Sequence, residues 1–162
     1  MIVADTSAFV SLAVGDVLEL FLDEFDVVTT ATVITELEET ATYDDPHGRG
    51  AAAVLAHADR IDVVTVESPD LVTSRIDIGE ASCVLAVRNI NAQFLITDDY
   101  RALPELQQLV ECDVALSPIV LRALVKRGAL SDDETTAMLE TIADQRDWLG
   151  APIYRYALEL FD

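Results

Sequence analysis

The chain opens with the stretch Met1-Ile2-Val3-Ala4-Asp5-Thr6-Ser7-Ala8-Phe9. Ile2, Val3 and Ala4 form a short apolar run, which is typical of a parallel strand buried on both faces. The run ends at Asp5, and a carboxylate at the carboxyl end of such a strand lies where open α/β sheets bind their ligands. Asp is also a favoured N-cap. This stretch alone therefore leaves two roles open for Asp5, the cap of the next helix or part of a site.

The rest of the sequence alternates strand-like and helix-like segments. Strands are predicted at 26–29, 61–66, 94–97 and 114–116, with helical patterns between them, a loop at 43–48 and a turn at 68–70. Alternation of this kind predicts an α/β fold with three α/β/α layers and a parallel sheet of about four or five strands. Asp5 and Asp98 should then end neighbouring strands. We expect one domain over 1–162, with a core of about 1–116 and a helical C-terminal extension of about 117–162.

The charge is strongly acidic, with 30 Asp and Glu against 10 Lys and Arg, a net charge of −20. The acidic residues are spread along the chain, which favours a halophilic protein over a mesophilic one that binds a basic partner. In molar salt the Debye length falls to about 3 Å, so this charge does not exclude a nucleic-acid substrate. Two Cys and two His are too few for a zinc centre. The absence of a membrane-length or signal-like segment predicts a cytoplasmic protein.

Acidic residues recur at the boundaries of the predicted elements. Asp5 and the pair Asp98-Asp99 end strands, whereas Glu36 and Glu80 lie in the first turns of helices. Carboxyl ends of parallel strands and amino ends of the following helices share one edge of the sheet, so these carboxylates are expected to converge. Clustered carboxylates favour a neutralising cation, and an oxygen-only set suits Mg²⁺ or Mn²⁺.

Each of these acids also has a structural alternative. The sequence Asp77-Ile78-Gly79-Glu80 has the form of a capping box, which would explain Glu80. Asp98 is a candidate cap for the helix that follows it. Glu36 lies beside Glu38 and Glu39 and fits a solvated helix face equally well. Position at one edge of the sheet supports a common site only in part, because caps lie at that edge as well.

Four motifs add a resemblance to this pattern. They are V-A-D-T-S-A, V-I-T-E-L, D-I-G-E-A-S-C-V-L-A and L-I-T-D-D-Y-R-A. In this order and spacing they resemble the motifs of PIN-domain proteins over residues 1 to about 116. The tail resembles a branch of that family with a helical C-terminus. The resemblance implies a Mg²⁺- or Mn²⁺-dependent ribonuclease fold, and many members of the family are toxins of toxin–antitoxin pairs.

The resemblance also assigns roles to individual residues. The acidic positions, each expected to be catalytic and to bind the metal, are Asp5, Glu36, Glu80, Asp98 and Asp99. The hydroxyl residues expected to contact the substrate are Thr6, Ser7 and Thr97. Asp98 and Asp99 remain alternatives for the main fourth ligand, because the last motif aligns on either of them.

Two functional hypotheses follow. The first is a metal-dependent endoribonuclease that hydrolyses RNA phosphodiesters, with an antitoxin protein as a partner if it belongs to a toxin–antitoxin pair. The alternative is a catalytically silent PIN-like module that binds a partner protein. A homodimer is expected, with Leu, Val and Phe residues of the first helices as contacts. A phosphoaspartate receiver is disfavoured, because Asp5 stands alone after the first strand and Lys126 lies in a predicted helix.

The dispersed negative charge generates a prediction about salt. Unscreened like charges destabilise the compact state, and salt removes that repulsion. We expect the melting temperature to rise by roughly 10 °C or more between low salt and molar KCl. Calorimetry across a KCl series measures this directly. A flat profile would contradict the halophilic interpretation and favour a basic partner.

Overall fold

The computed structural model describes residues 1–67 and 70–161, so the turn predicted at Ser68 and Pro69 lies outside the described residues. Its centre is a five-stranded parallel sheet in the order β3-β2-β1-β4-β5. The strands are β1 (Ile2–Ala4), β2 (Val27–Thr30), β3 (Asp62–Val64), β4 (Phe94–Ile96) and β5 (Asp113–Ala115). The predicted α/β class and parallel sheet are confirmed.

Helices fill the connections between the strands. They are α1 (Thr6–Val14), α2 (Leu18–Glu24), α3 (Ala31–Thr40), α4 (Pro46–Ala56), α5 (Ile78–Ile90), α6 (Leu103–Leu109), α7 (Ser117–Lys126), α8 (Asp132–Gln145) and α9 (Pro152–Leu160). A short 3₁₀ turn, Ala58–Arg60, precedes β3. No helix in the described part of the chain has both the length and the apolar character needed to cross a membrane.

Strand β1 is the central strand and pairs with β2 on one side and β4 on the other. All three of its residues are buried, as the apolar run predicted. Its neighbours mark a reversal in the winding of the chain, because β2 and β3 extend the sheet in one direction while β4 and β5 extend it in the other. In open parallel sheets a crevice forms at such a switch point, outside the carboxyl ends of the strands. Asp5 follows β1 and Asp98 lies just beyond β4, so the predicted neighbouring strand ends are confirmed.

Two local predictions need correction. The segment 43–48 is not all loop, because α4 already begins at Pro46. Asp45 caps this helix by accepting a hydrogen bond from the Gly48 N–H at 2.7 Å, and Pro is well suited to the first helical position. Strand β3 is also shorter than the predicted 61–66 and ends at Val64. It is an edge strand with exposed side chains, so less of the apolar run is held in the sheet.

The helical extension packs over the first two helices. Helix α7 contacts α1 and α2, α8 contacts α1 and α7, and α9 contacts α7. The extension therefore covers much of α1 and α2, where the dimer contacts are predicted. The large apolar side chains there, Phe9, Val10, Leu12, Leu18, Phe21 and Leu22, are buried within this chain. The homodimer itself stays a prediction.

A close approach seats α8 on α1. Gly15 ends α1 with an ordinary φ of −82°, so its backbone does not require glycine. The packing of α8 does require glycine at this position, because a Cβ at Gly15 would lie 2.5 Å from Cγ1 of the buried Ile142 side chain. This contact fixes how closely the extension approaches the core.

We expect Gly15→Ala to lower the free energy of unfolding by about 1–3 kcal/mol, because the added methyl group overpacks the α1–α8 contact. In an Ile142→Ala background the same substitution should cost much less, since the colliding atoms are gone. Denaturant unfolding in high salt measures both values. Equal costs in the two backgrounds would show that Ile142 does not set the approach.

Candidate active site

Asp5 lies at the end of β1 and caps α1. Its Oδ1 accepts hydrogen bonds from the Ala8 N–H at 3.0 Å and the Ser7 hydroxyl at 2.8 Å, and its Oδ2 accepts one from the Thr97 hydroxyl at 2.5 Å. The residue is only 4% exposed. It nevertheless lines the cavity at the carboxyl edge of the sheet. The capping role and a place in the site, which the sequence presented as alternatives, are both present.

The cavity has a volume of about 420 Å³. All five acidic residues predicted from the sequence line it, together with Asp77: Asp5, Glu36, Glu80, Asp98 and Asp99. They come from four separate parts of the fold, the ends of β1 and β4 and the helices α3 and α5. The topology therefore brings together residues that lie up to 94 positions apart in sequence. The cavity also contains Thr6 and Ser7, two of the three hydroxyl residues predicted for substrate contact.

Glu36 reaches the cavity because α5 makes room for it. Its Oε2 accepts a hydrogen bond from the Thr6 hydroxyl at 2.7 Å. A Cβ at Gly79 would lie 1.9 Å from Oε1 of Glu36, so a larger residue there would displace the Glu36 carboxyl from its present position. Glu38 and Glu39 are exposed on the same helix. The structure thus separates Glu36 from the solvated acids that helical periodicity could not distinguish from it.

Glu80 belongs to the predicted capping box and also to the cavity. The Asp77 carboxylate accepts a hydrogen bond from the Glu80 N–H at 2.8 Å, and Glu80 Oε2 accepts one from the Asp77 N–H at 3.0 Å. The Glu80 side chain also shares a hydrogen bond with the Asp99 side chain, which requires one of the two carboxyl groups to hold a proton. Burial, reinforced by the neighbouring Asp99 carboxyl, raises the pKa of Glu80 well above its ordinary value.

Asp98 and Asp99 differ in what holds them. Both oxygens of Asp98 accept hydrogen bonds from Ser117, one from its N–H and one from its hydroxyl, each at 2.7 Å. Asp98 therefore caps α7, and the sequence-based suggestion that it caps the helix after it is corrected. Asp99 turns one oxygen to the N–H groups of Arg101 and Ala102, at 3.1 and 3.2 Å. Its carboxyl also acts on Glu80. Backbone and hydroxyl donors thus occupy both oxygens of Asp98 but only one oxygen of Asp99.

The hydroxyl residues hold the acids in place. Ser7 donates to Asp5 and accepts a hydrogen bond from the Asp98 N–H at 2.9 Å, which ties the ends of β1 and β4 together. Thr97 is fully buried and does not belong to the cavity lining. The structure places it behind Asp5, where its hydroxyl donates to that carboxylate, in place of the predicted substrate contact.

Burial also perturbs the other carboxyls of the site. It raises the pKa of Asp5 to about 7, against the lowering effect of the hydrogen bonds from Thr97, Ala8 and Ser7. It raises the pKa of Glu36 and of Asp98 as well, and hydrogen bonds from Thr6 and Ser117 oppose the shifts. In the protein alone, the ionised forms of these groups are therefore disfavoured.

The donor set fits a hard divalent cation in its chemistry. The acidic residues that line the cavity offer carboxylate oxygens as metal ligands, and Mg²⁺ and Mn²⁺ prefer oxygen ligands. In residues 1–67 and 70–161, however, no three His, Cys, Asp or Glu side chains meet closely enough to hold an ion as they stand. Binding therefore requires some of the carboxylates to turn inward and lose protons.

Sequence reasoning missed Arg146, which lines the same cavity. It follows α8 in the extension, far in sequence from the four acidic motifs, and no local pattern marks it. Burial lowers its pKa, while Asp98 and Asp5 act in the opposite direction. His47, at the start of α4, also lines the cavity and is exposed. It was missed because its segment was interpreted as a loop.

Comparison with protein families gives a match over the whole sequence. A family model, DUF3368, described as a PIN domain, matches residues 1–162, which includes both the acidic motifs and the helical extension. Neither the curated proteins nor the solved structures used for comparison contain a match to this chain.

The raised pKa of Asp5 predicts a pH effect on stability without metal. The pKa of its carboxyl rises from 3.8 to about 7 on folding. The stability that the protonated carboxyl contributes is therefore fully present below pH 3.8 and is lost as the pH rises through 7. Asp5→Asn keeps the cap and cannot ionise. Relative to wild type, the variant should therefore gain stability between pH 4 and pH 8, on the order of 4 kcal/mol. Unfolding in molar KCl with a chelator tests this; a difference independent of pH would contradict it.

Proposed function

The chain belongs to the PIN-domain family, and from this premise we propose that it is a Mg²⁺- or Mn²⁺-dependent endoribonuclease that hydrolyses RNA phosphodiesters. PIN domains are generally nucleases, so a hydrolase of the nuclease type follows from the family itself. RNA as the substrate and the identity of the metal are our proposal. The observation that carries it is the presence of six carboxyl groups, the five predicted ones and Asp77, around one cavity at the switch point of the sheet.

The freer carboxylate oxygens are those we assign to the metal. All three of Glu36, Glu80 and Asp99 line the cavity. Glu36 has one oxygen outside its hydrogen bond with Thr6, and the hydrogen bond that Glu80 and Asp99 share would give way to a cation. Asp5 adds negative charge and a ligand position at the base of the cavity. When bound, Mg²⁺ or Mn²⁺ would activate water and stabilise the negative charge that develops on the phosphate.

The remaining groups position these ligands. Thr6 fixes one oxygen of Glu36, and Ser7 and Thr97 fix Asp5, so the carboxylates enter the cavity in defined orientations. Asp98 holds the start of α7 through Ser117 and is thereby assigned a supporting role beside Asp99. Substitution of Asp98 should then disturb α7 as well as activity, whereas Asp99→Asn, which keeps an acceptor oxygen for the N–H groups of Arg101 and Ala102, should mainly lower activity.

The biological setting belongs to the proposal as well. A ribonuclease of this kind would act in the cytoplasm, and high salt would let RNA approach a chain with a net charge of −20. The toxin of a toxin–antitoxin pair is one role for it, and an antitoxin reading frame beside its gene would support that role. A homodimer remains our expectation for the assembly.

Asp5→Asn tests the proposed activity. Wild type should gain thermal stability from Mn²⁺ in high salt, because an ion that binds only the folded state stabilises it by mass action. The variant keeps its cap but lacks one ligand charge. Its Mn²⁺-induced rise in melting temperature should be lost, and cleavage of a mixed RNA should fall by at least about 100-fold, as expected for loss of a principal metal-site contact.

Asp45→Asn is the matched control for that experiment. Asp45 caps α4 in the same way as Asp5 caps α1, and it does not line the cavity. Both variants lose one negative charge and retain a capping oxygen. Asp45→Asn should therefore keep the response to Mn²⁺ and the cleavage activity. A normal Mn²⁺ response in Asp5→Asn would remove Asp5 from the metal site, and a wild type that cleaves no RNA with either metal would contradict the proposed function.

A further inference from the structure

We propose that Arg146 binds the phosphate of the substrate, so that the helical extension completes the active site. This inference rests on the proposed nuclease function and names the residue that would hold its anionic substrate. It starts from an unusual arrangement, a guanidinium placed inside an acidic cavity without an ion-pair partner in the described part of the chain.

Arg146 lines the same cavity as the carboxylates but forms no ion pair with any carboxylate of the described residues. No carboxylate oxygen in the described residues lies within 4.0 Å of its guanidinium nitrogens, whereas four other basic side chains there do form such pairs. Its Nε is buried and has no hydrogen-bond partner among the described residues. A buried unpaired donor is costly, so a ligand that accepts its hydrogen bond is favoured.

The backbone around Arg146 is held firmly. Its N–H donates to the Ile142 carbonyl at 2.8 Å, and the Trp148 N–H donates to the Ala143 carbonyl at 2.8 Å. Ile142, Ala143 and Trp148 are all buried. Asp147 between them adopts a positive φ of 57°, which turns the chain sharply after α8. The guanidinium therefore emerges from a packed turn whose position is set by the contact of α8 with α1.

The charges of the cavity favour a phosphate between Arg146 and the acids. Arg146 is the one residue with a permanent positive charge among those that line this cavity in the described chain. A guanidinium presents several N–H donors in a planar fork that matches two phosphate oxygens. A phosphodiester there would contact the fork on one side and a metal held by the carboxylates on the other. The guanidinium would then contribute to substrate binding and to stabilising charge on the phosphate.

Two other roles for Arg146 predict different behaviour. If it only neutralises the acids, its removal should strengthen metal binding and leave RNA binding unchanged. If it only holds the fold together, its removal should weaken both. A phosphate-binding role predicts opposite effects, with Mn²⁺ bound more tightly because a competing positive charge is gone, and RNA bound more weakly because its phosphate has lost a partner.

The test compares wild type with Arg146→Met and Arg146→Lys in molar KCl. Mn²⁺ affinity is measured by calorimetric titration, and RNA affinity by fluorescence anisotropy of a labelled single-stranded RNA with Mn²⁺ present. Cleavage kinetics are measured on the same RNA. Arg146→Met should raise KM and the RNA dissociation constant roughly 10- to 100-fold, as expected for loss of a charge-assisted hydrogen bond, while Mn²⁺ binds severalfold more tightly. Arg146→Lys should lose less RNA affinity, because it keeps the charge but not the fork.

Arg155→Met is the matched control. Arg155 lies on α9 of the same extension, is exposed and does not line the cavity. Its replacement makes the same change in net charge and should alter neither affinity. Unchanged RNA affinity in Arg146→Met would overturn the proposal, and so would a joint loss of Mn²⁺ and RNA binding. A wild type that binds RNA but does not cleave it would refute the nuclease function alone, since the anisotropy measurement still tests Arg146.

Discussion

The parallel pairing of β1 with β4 is the interaction on which the site depends. The Asp5 N–H donates to the Ile96 carbonyl at 3.0 Å, and the two strand ends lie side by side at the point where the winding of the sheet reverses. Ser7 then joins the two ends through its hydroxyl, which donates to Asp5 and accepts from the Asp98 N–H. Carboxylates from distant parts of the chain meet here because backbone pairing brings them together, in spite of their mutual repulsion.

The structural and chemical roles of these acids coincide. Asp5 caps α1, Glu80 completes the capping box of α5, and Asp98 caps α7. A capping side chain supplies an acceptor oxygen at the amino end of a helix, and amino ends of helices surround the carboxyl edge of a parallel sheet. The same geometry that satisfies helix N–H groups thus concentrates negative charge around one cavity. The cost appears as raised pKa values for the buried carboxyls, and a cation or protons must offset it.

Much of this arrangement could be predicted from local sequence. The buried run 2–4, the alternation of elements and the acids at their boundaries indicated the sheet, its parallel pairing and the residues of the cavity. Contacts between distant segments could not be predicted. Arg146 enters the cavity because α8 packs against Gly15, and Asp98 is drawn to Ser117 on a helix that does not follow it directly. The local sequence of α1 and α2 likewise gave no sign that the extension packs against them.

The central claim is that the acidic cavity binds a divalent metal, and crystallography with Mn²⁺ tests it most directly. Crystals grown in high salt with Mn²⁺ would be measured at a wavelength where manganese scatters anomalously. We expect an anomalous peak inside the cavity, with carboxylate oxygens of Glu36, Glu80 and Asp99 turned towards it at about 2.0–2.3 Å. A fully occupied peak elsewhere, or none in the cavity at saturating Mn²⁺, would contradict it.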